Sequence, residues 1–272
     1  MSSPIVAEDP LTTRARTIWS GADFLPIARS FAPGAAEFIA RRGLRKGEAV
    51  LDVACGTGNL AIPAALAGAT VTGVDIAANL IAHARDEARA AGVEIRFETG
   101  DAESLAYEDD TFDATVTMFG AMFAFRPAKA AAELLRVTRP GGRIAMANWT
   151  PGGFIGQLLK AHVAVVPPPA GVPSALLWGD ETVVRERFGP GASAITCTPR
   201  TIELRFPMPP QAVADLFASN YGPTVATLKA ADAAGGAKLR AELVRLFTEH
   251  NRAGNGETAV VGDYLEVEAR VA

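Results

Sequence analysis

The chain has 272 residues, of which 49% are hydrophobic and 21% are charged, and its formal net charge at pH 7 is -4. This length and composition suit one elaborated domain with a large buried core. Because phosphates attract clustered Lys and Arg, which the sequence lacks, nucleic acid is disfavoured as a partner and a small-molecule substrate is expected.

Cysteine usage and the N-terminal segment exclude further classes. Cys55 and Cys197 are the two cysteines of the chain, and they supply neither a disulfide framework nor a metal-ligand spacing, so no metal is expected. The N-terminal segment has acids and a proline where a secretory signal has an apolar stretch, and no window of roughly 18 residues is uncharged and apolar. We therefore expect a cytoplasmic protein without a membrane span.

The predicted elements alternate from Ala49 to Trp149. Helices are expected over residues 12–43, ahead of the first strand. β-Branched runs and alanine-rich runs then alternate, which predicts βαβ units in an α/β, doubly wound, Rossmann-like sheet. The predicted strands are 49–54, 70–75, 94–99, 112–118 and 143–148, and the predicted helices are 56–67, 78–91 and 127–137, with the Arg139-Pro-Gly-Gly142 sequence as a turn.

The alternation stops after Trp149. Two helices, 154–165 and 181–188, flank a Pro-Pro-Pro turn and a loop, which predicts an insertion. Strands are predicted at 195–206 and 263–271 and helices at 211–221 and 238–250. The two late strands can pair antiparallel at the edge of the sheet.

Two acidic motifs follow the first two predicted strands, where ligands bind in an open parallel sheet. The sequence DVACGTG runs from Asp52 to Gly58, and its glycines permit a tight turn and close approach of a ligand to the backbone. Asp75 ends the second strand, 17 residues after Gly58. A carboxylate at that point can accept hydrogen bonds from both hydroxyls of a ribose.

Two more motifs follow the third and fourth strands. In Gly100–Glu103 (GDAE), the carboxylate of Asp101 can accept a hydrogen bond from the exocyclic amine of an adenine. Met118–Phe123 (MFGAMF) offers apolar and aromatic surface. Asp52 would repel a phosphate, whereas S-adenosylmethionine (SAM) has no phosphate and carries a sulfonium and an ammonium. Charge therefore favours SAM over a dinucleotide, although Gly56–Ala61 also fits the loose G-x-G-x-x-G/A pattern.

Four segments carry a family resemblance: VLDVACGTGNLA, TGVDIAANLIAHAR, GDAESLAYEDDTFDA and LLRVTRPGGRIAMANW. In order and spacing they resemble the motifs of class I SAM-dependent methyltransferases, in the style of the ubiquinone/menaquinone-biosynthesis type, over roughly residues 48–150. The resemblance implies a seven-stranded sheet whose last hairpin is antiparallel, with SAM as cofactor and S-adenosylhomocysteine (SAH) as product. Length and the pattern along the chain predict one methyltransferase domain, divided into an N-terminal helical cap (1–45), a SAM-binding core (46–150), a helical insertion or lid (151–194) and C-terminal strands and helices (195–272).

The family pattern places the glycines at the methionine end of SAM, Asp75 at the ribose, Asp101 with Ala102 at the adenine, and Met118 near the methyl group. The candidate cofactor-binding residues are Asp52, Ala54, Gly56, Gly58, Asn59, Asp75, Ile76, Leu80, Asp101, Ala102, Glu103, Met118 and Phe123.

The acceptor is less well defined by the sequence. Strand four ends without the Asn/Asp-Pro-Pro-aromatic signature of enzymes that methylate planar amino groups, which disfavours that class. Family analogy and the apolar end of strand four favour a small, largely apolar metabolite as the acceptor. The expected reaction is methyl transfer by in-line displacement. His162 is the candidate general base, and Tyr221 is a candidate hydrogen-bonding group for the acceptor. The helices around Trp19 are a candidate lid. Two alternatives remain open: a non-catalytic SAM-binding or regulatory protein, and an NAD-dependent oxidoreductase.

Overall fold

A computed structural model describes residues 9–272 of the chain. Within these residues, seven strands form one sheet in the order β3-β2-β1-β4-β5-β7-β6. The strands are β1 (Ala49–Val53), β2 (Thr70–Asp75), β3 (Arg96–Thr99), β4 (Phe112–Met118), β5 (Thr138–Trp149), β6 (Ala192–Phe206) and β7 (Thr258–Val271). β7 is antiparallel to both of its neighbours, and the other pairs are parallel. The predicted fold class, a mostly parallel sheet with an antiparallel last hairpin, is confirmed.

Helices cover both faces of this sheet. They are α1 (Pro10–Ser20), α2 (Leu25–Ala28), α3 (Ala32–Ala40), α4 (Ala61–Leu66), α5 (Ala78–Ala90), α6 (Pro127–Val137), α7 (Phe154–Val165), α8 (Glu181–Phe188), α9 (Pro210–Asn220), α10 (Gly222–Ala230) and α11 (Ala233–Glu249). Strand order reverses between β1 and β4, so right-handed crossovers place α4 and α5 on one face and α6 on the other. The reversal point is where such sheets bind ligands.

Two predicted boundaries differ for reasons of backbone geometry. Residues 56–60 form turns and α4 begins at Ala61, because Gly56 (φ +54°) and Gly58 (φ +89°) adopt a left-handed conformation that a right-handed helix excludes. β5 begins at Thr138 and so includes residues 139–142, which were predicted to form a turn before the strand. Thr138 pairs with Phe112 before the register shifts, so the Arg-Pro-Gly-Gly sequence is an irregularity within the strand.

The C-terminal part also holds more regular structure than predicted. Helix α10 was not predicted, because Gly222-Pro223 suggests a turn. Proline is, however, also well suited to the first turn of a helix. β6 and β7 are longer than expected, and they pair along their whole length from Phe206–Thr258 to Ala192–Val271. Among residues 9–272, no helix is long and apolar enough to cross a bilayer, and no group of side chains is arranged to hold a metal ion.

Candidate active site

A cavity opens at the carboxyl ends of β1, β2, β3 and β4, and it has two chemically different halves. We call the first the glycine–acid half. It is lined by Asp52, Ala54, Gly56, Asn59, Asp75, Ile76, Leu80, Asp101, Ala102 and Glu103. We call the second the aromatic half. It is lined by Trp19, Phe24, Phe31, Phe119, Phe123, Trp149, Phe217 and Tyr221, with Met118 beside them.

Asp75 joins the turn after β1 to the end of β2. Its Oδ2 accepts a 2.8 Å hydrogen bond from the backbone N–H of Gly56, and its Oδ1 accepts one of 2.8 Å from Ala77. The side chain is buried, and burial raises the pKa of its carboxyl group although both hydrogen bonds oppose the shift. A carboxylate has lone pairs left beyond these two bonds, so it can still accept hydroxyl donors.

Asp52 lies deeper, at 1% exposure, and it holds the start of the next helix. Its Oδ2 accepts a 3.0 Å hydrogen bond from the backbone N–H of Ala61, the first residue of α4. Burial raises the pKa of this carboxyl group well above its usual value, and the nearby charge of Asp75 adds to the effect. Within residues 9–272, neither acid forms an ion pair with Lys or Arg, so a cationic ligand fits the charge of this half.

The glycine–acid turn is shaped for close approach. Ala54 (φ +55°) and Gly56 adopt left-handed conformations, and a Cβ added at Gly56 would meet no atom within 4 Å. Gly120, after β4, abuts this turn, because a Cβ there would lie 2.6 Å from the carbonyl oxygen of Ala54. Gly58, predicted to touch the cofactor, does not line the cavity; it packs near Ile62 and Phe97.

The loop after β3 is covered by α1. Asp101 Oδ1 accepts from the backbone N–H of Glu103 at 2.9 Å, and Oδ2 accepts from the hydroxyl of Thr12 at 2.8 Å. Glu103 also borders the cavity, but its carboxylate is engaged by Arg126 through Nε at 2.6 Å and the backbone N–H at 2.8 Å. Sequence reasoning missed Thr12 and Arg126, because both are distant along the chain from the motifs they meet.

The aromatic half is a wall of packed rings. Phe119 and Trp149 are stacked with centroids 3.4 Å apart and planes at 6°, and Trp19 packs edge-on against Phe123 at 5.2 Å. Of the described residues that line this half, none carries a charge. A ligand portion held here must therefore be largely apolar, since a charge would lose its hydration without compensation.

Tyr221 provides a polar group in the aromatic half. Its ring packs against those of Trp19 and Phe217, and the side chain lines the cavity. Burial raises the pKa of the phenol, so the hydroxyl stays protonated at neutral pH. No hydrogen bond to this hydroxyl is found within residues 9–272. It is available to an acceptor.

The structure corrects the expectation for His162, which does not line the cavity. Its Nε2 lies 2.8 Å from the hydroxyl of Thr224 on α10, and its ring packs 6.2 Å from that of Tyr221. Burial lowers the pKa of this histidine from 6.5 to about 4. His162 therefore supports the cavity wall from behind, and its position does not suit a general base that contacts the acceptor.

Comparison with known proteins agrees with this geometry. Residues 50–142 match the profile of a family described as a methyltransferase domain. An uncharacterized protein of Mycobacterium bovis is 40% identical over 219 residues, which are 79% of each chain. The ubiquinone/menaquinone biosynthesis C-methyltransferase UbiE of Bdellovibrio bacteriovorus is 40% identical over 104 residues, 38% of this chain and 44% of that protein. The YcgJ protein of Bacillus subtilis has the same fold, with a TM-score of 0.59 at 18% identity over 88% of this chain and 98% of that one.

The reversed last hairpin, the glycine–acid turn and these similarities together define a class I SAM-dependent methyltransferase. Its cofactor is SAM, whose positive charge suits a half of the cavity lined by acids that have no ion-pair partner among residues 9–272. The chain belongs to the same family as the Mycobacterium bovis protein, and within its methyltransferase domain it is similar to methyltransferases of the ubiquinone/menaquinone-biosynthesis type.

Proposed function

We propose that the enzyme transfers the methyl group of SAM to a small, largely apolar and uncharged metabolite. The observation that carries this proposal is the continuity of the two halves of the cavity, one acidic and glycine-lined, the other aromatic and uncharged. A cation and an apolar molecule placed in these halves would meet at their junction, near Met118 and Gly120. The quinone-related activity in the name of the UbiE relative is consistent with an apolar acceptor.

The same geometry supports an assignment of the cofactor-binding residues. We place the methionine end of SAM at the turn formed by Ala54, Gly56 and Asn59, close to Asp52. The ribose is assigned to Asp75, which retains accepting capacity beside its two backbone partners. The adenine is assigned to the pocket between the two loops after β2 and β3, lined by Ile76, Leu80, Asp101, Ala102 and Glu103. Gly58 supports the turn, and Phe123 borders the acceptor.

The residues of this chain act mainly by positioning. When bound, SAM supplies a methyl group that is already activated by its sulfonium. The aromatic half excludes water and holds the acceptor, so that its nucleophilic atom lies opposite the departing sulfur. Such alignment of two reactants contributes up to roughly 7–11 kcal/mol in favourable cases. The Tyr221 hydroxyl is placed to hydrogen-bond the acceptor and fix its orientation.

The test is an assay of SAH formation with matched acceptors that share one nucleophile and differ by a single charge, such as a phenol bearing a carboxamide and the same phenol bearing a carboxylate. Turnover with neutral members and none above background with their charged partners is the expected result. A preference for the charged members would contradict the proposal.

Parallel titrations with SAH and NAD distinguish the proposed function from the two alternative functions. SAH binding without turnover of any acceptor would favour a non-catalytic SAM-binding protein. Binding of NAD instead of SAH would favour the oxidoreductase.

A further inference from the structure

Helix α1 lies across both halves of the cavity. Thr12 and Ala15 border it near one end of the helix and Trp19 borders it near the other. None of the residues of α1 is fully buried, so the helix lies at the surface of the described part of the chain. The end near Trp19 is fixed by packing, because a Cβ at Gly222 would lie 2.4 Å from the carbonyl oxygen of Ile18.

The other end of α1 is held by polar contacts. Asp9 caps the helix, and its carboxylate accepts from the backbone N–H groups of Leu11 and Thr12. The same carboxylate accepts from Arg126 through Nη1 at 3.1 Å and Nη2 at 2.8 Å. The Thr12 hydroxyl then bonds to Asp101 one turn further along the helix.

Arg126 connects three segments of the site. Its Nε donates to Glu103 in the loop after β3, its terminal nitrogens donate to Asp9 before α1, and its own backbone precedes α6. Its two partners differ in exposure, since the Glu103 side chain is 7% exposed and that of Asp9 is 45% exposed. The contact with Asp9 is therefore the one that water and salt can open.

We propose that Arg126 is a positioning residue that fastens the N-terminal end of α1 over the cofactor, so that SAH leaves only after the Asp9–Arg126 contact opens. This inference rests on the proposed placement of the adenine beside Asp101. Because Thr12 bonds to that same carboxylate, α1 lies over the adenine region in the closed state. Opening at Asp9 would swing the helix about its packed end near Trp19.

The decisive variant is Asp9→Asn. Asparagine is as good an N-cap as aspartate, so α1 keeps its cap while the charge facing Arg126 is lost. We expect SAH to dissociate about two- to fivefold faster in stopped-flow experiments, at an unchanged Tm, which is the range for an exposed ion pair. High salt should raise the wild-type rate and remove the difference, because it screens the pair.

Two further variants complete the test. Asp86→Asn breaks the exposed Asp86–Arg89 pair on α5, which involves neither Asp9 nor Arg126, and should leave the dissociation rate unchanged. Arg126→Lys keeps the charge without the forked geometry, and its rate should lie between those of wild type and Asp9→Asn.

Equal dissociation rates for wild type and Asp9→Asn at low salt would overturn the fastening role while leaving the cofactor site intact. Failure of the wild-type protein to bind SAH would contradict the proposed function, and this inference with it.

Discussion

The backbone N–H of Gly56 donates a 2.8 Å hydrogen bond to Oδ2 of Asp75, and this contact joins the ends of β1 and β2. The glycine turn and the ribose-binding carboxylate assigned above are therefore one unit. Loss of the carboxylate would affect the ligand directly and would also release the turn.

The first prediction concerns this unit. Asp75→Asn should weaken SAH binding by at least about tenfold, because a hydrogen bond to a charged group contributes roughly 1.5–3 kcal/mol. Calorimetric titration measures the change, and Asp215→Asn on the exposed side of α9 is a control that should bind normally. Full affinity in Asp75→Asn would contradict the assignment of the ribose.

The second prediction concerns Tyr221. Tyr221→Phe keeps the ring and removes a hydroxyl that has no partner in residues 9–272, so SAH affinity and Tm should stay unchanged. With an active acceptor, kcat/KM should fall about two- to tenfold, as expected for loss of one neutral hydrogen bond. The control is Tyr107→Phe, whose hydroxyl bonds to Glu98 away from the cavity. An unchanged kcat/KM in Tyr221→Phe would leave this tyrosine with a packing role alone.

The third prediction concerns the close approach at Gly120. In Gly120→Ala the new Cβ would lie 2.6 Å from the carbonyl oxygen and 2.7 Å from the Cβ of Ala54. The turn must move, so we expect a loss of about 1–3 kcal/mol in stability together with weakened SAH binding. Thermal unfolding and titration measure both effects. Gly152→Ala, which meets no atom within 4 Å, should change neither, and normal binding by Gly120→Ala would show that the turn tolerates displacement.

The fourth prediction concerns pH. Because burial lowers the pKa of His162 from 6.5 to about 4, the unfolded chain binds a proton in this range while the folded protein does not. The stabilising contribution of neutral His162 is therefore complete above pH 6.5 and is lost as pH falls toward 4, by about 3 kcal/mol at most.

Denaturant unfolding at several pH values measures this slope. His162→Gln should reduce this slope. An identical slope in wild type and His162→Gln would mean that other groups cause the pH dependence.

The sequence predicted those parts of the site whose residues lie in short, continuous motifs. Asp52, Asp75 and Asp101 each follow a strand that the alternation of residues identifies, and parallel strands bring such ends to one edge. Thr12 and Arg126 depend on polar contacts between distant segments, for which the sequence contains no local signal. Gly120 lies in a predicted motif, but its close approach to Ala54 is visible only in the folded chain.

His162 was assigned as a general base because helix α10 was not predicted. Ile155 and Leu158 of α7 line the cavity, and His162 lies one turn beyond Leu158 on the same face of the helix. The prediction rested on the position of this helix after β5, where it could overhang the acceptor pocket. Helix α10, which was not predicted, lies against His162 instead, and the hydroxyl of Thr224 on this helix lies 2.8 Å from Nε2 of His162.

The placement of β7 between β5 and β6 has a consequence for biosynthesis. β6 emerges from the ribosome before β7, yet its hydrogen-bonding partner in the sheet is β7, which pairs with it from Phe206–Thr258 to Ala192–Val271. The fifteen residues of β6 therefore have no strand partner on this side, and their backbone groups face water, while α9, α10 and α11 are made. β1 and β2 follow each other closely along the chain and pair with each other, so a nascent chain can complete the glycine–acid turn while the far edge of its sheet is still open to association with other unfinished chains.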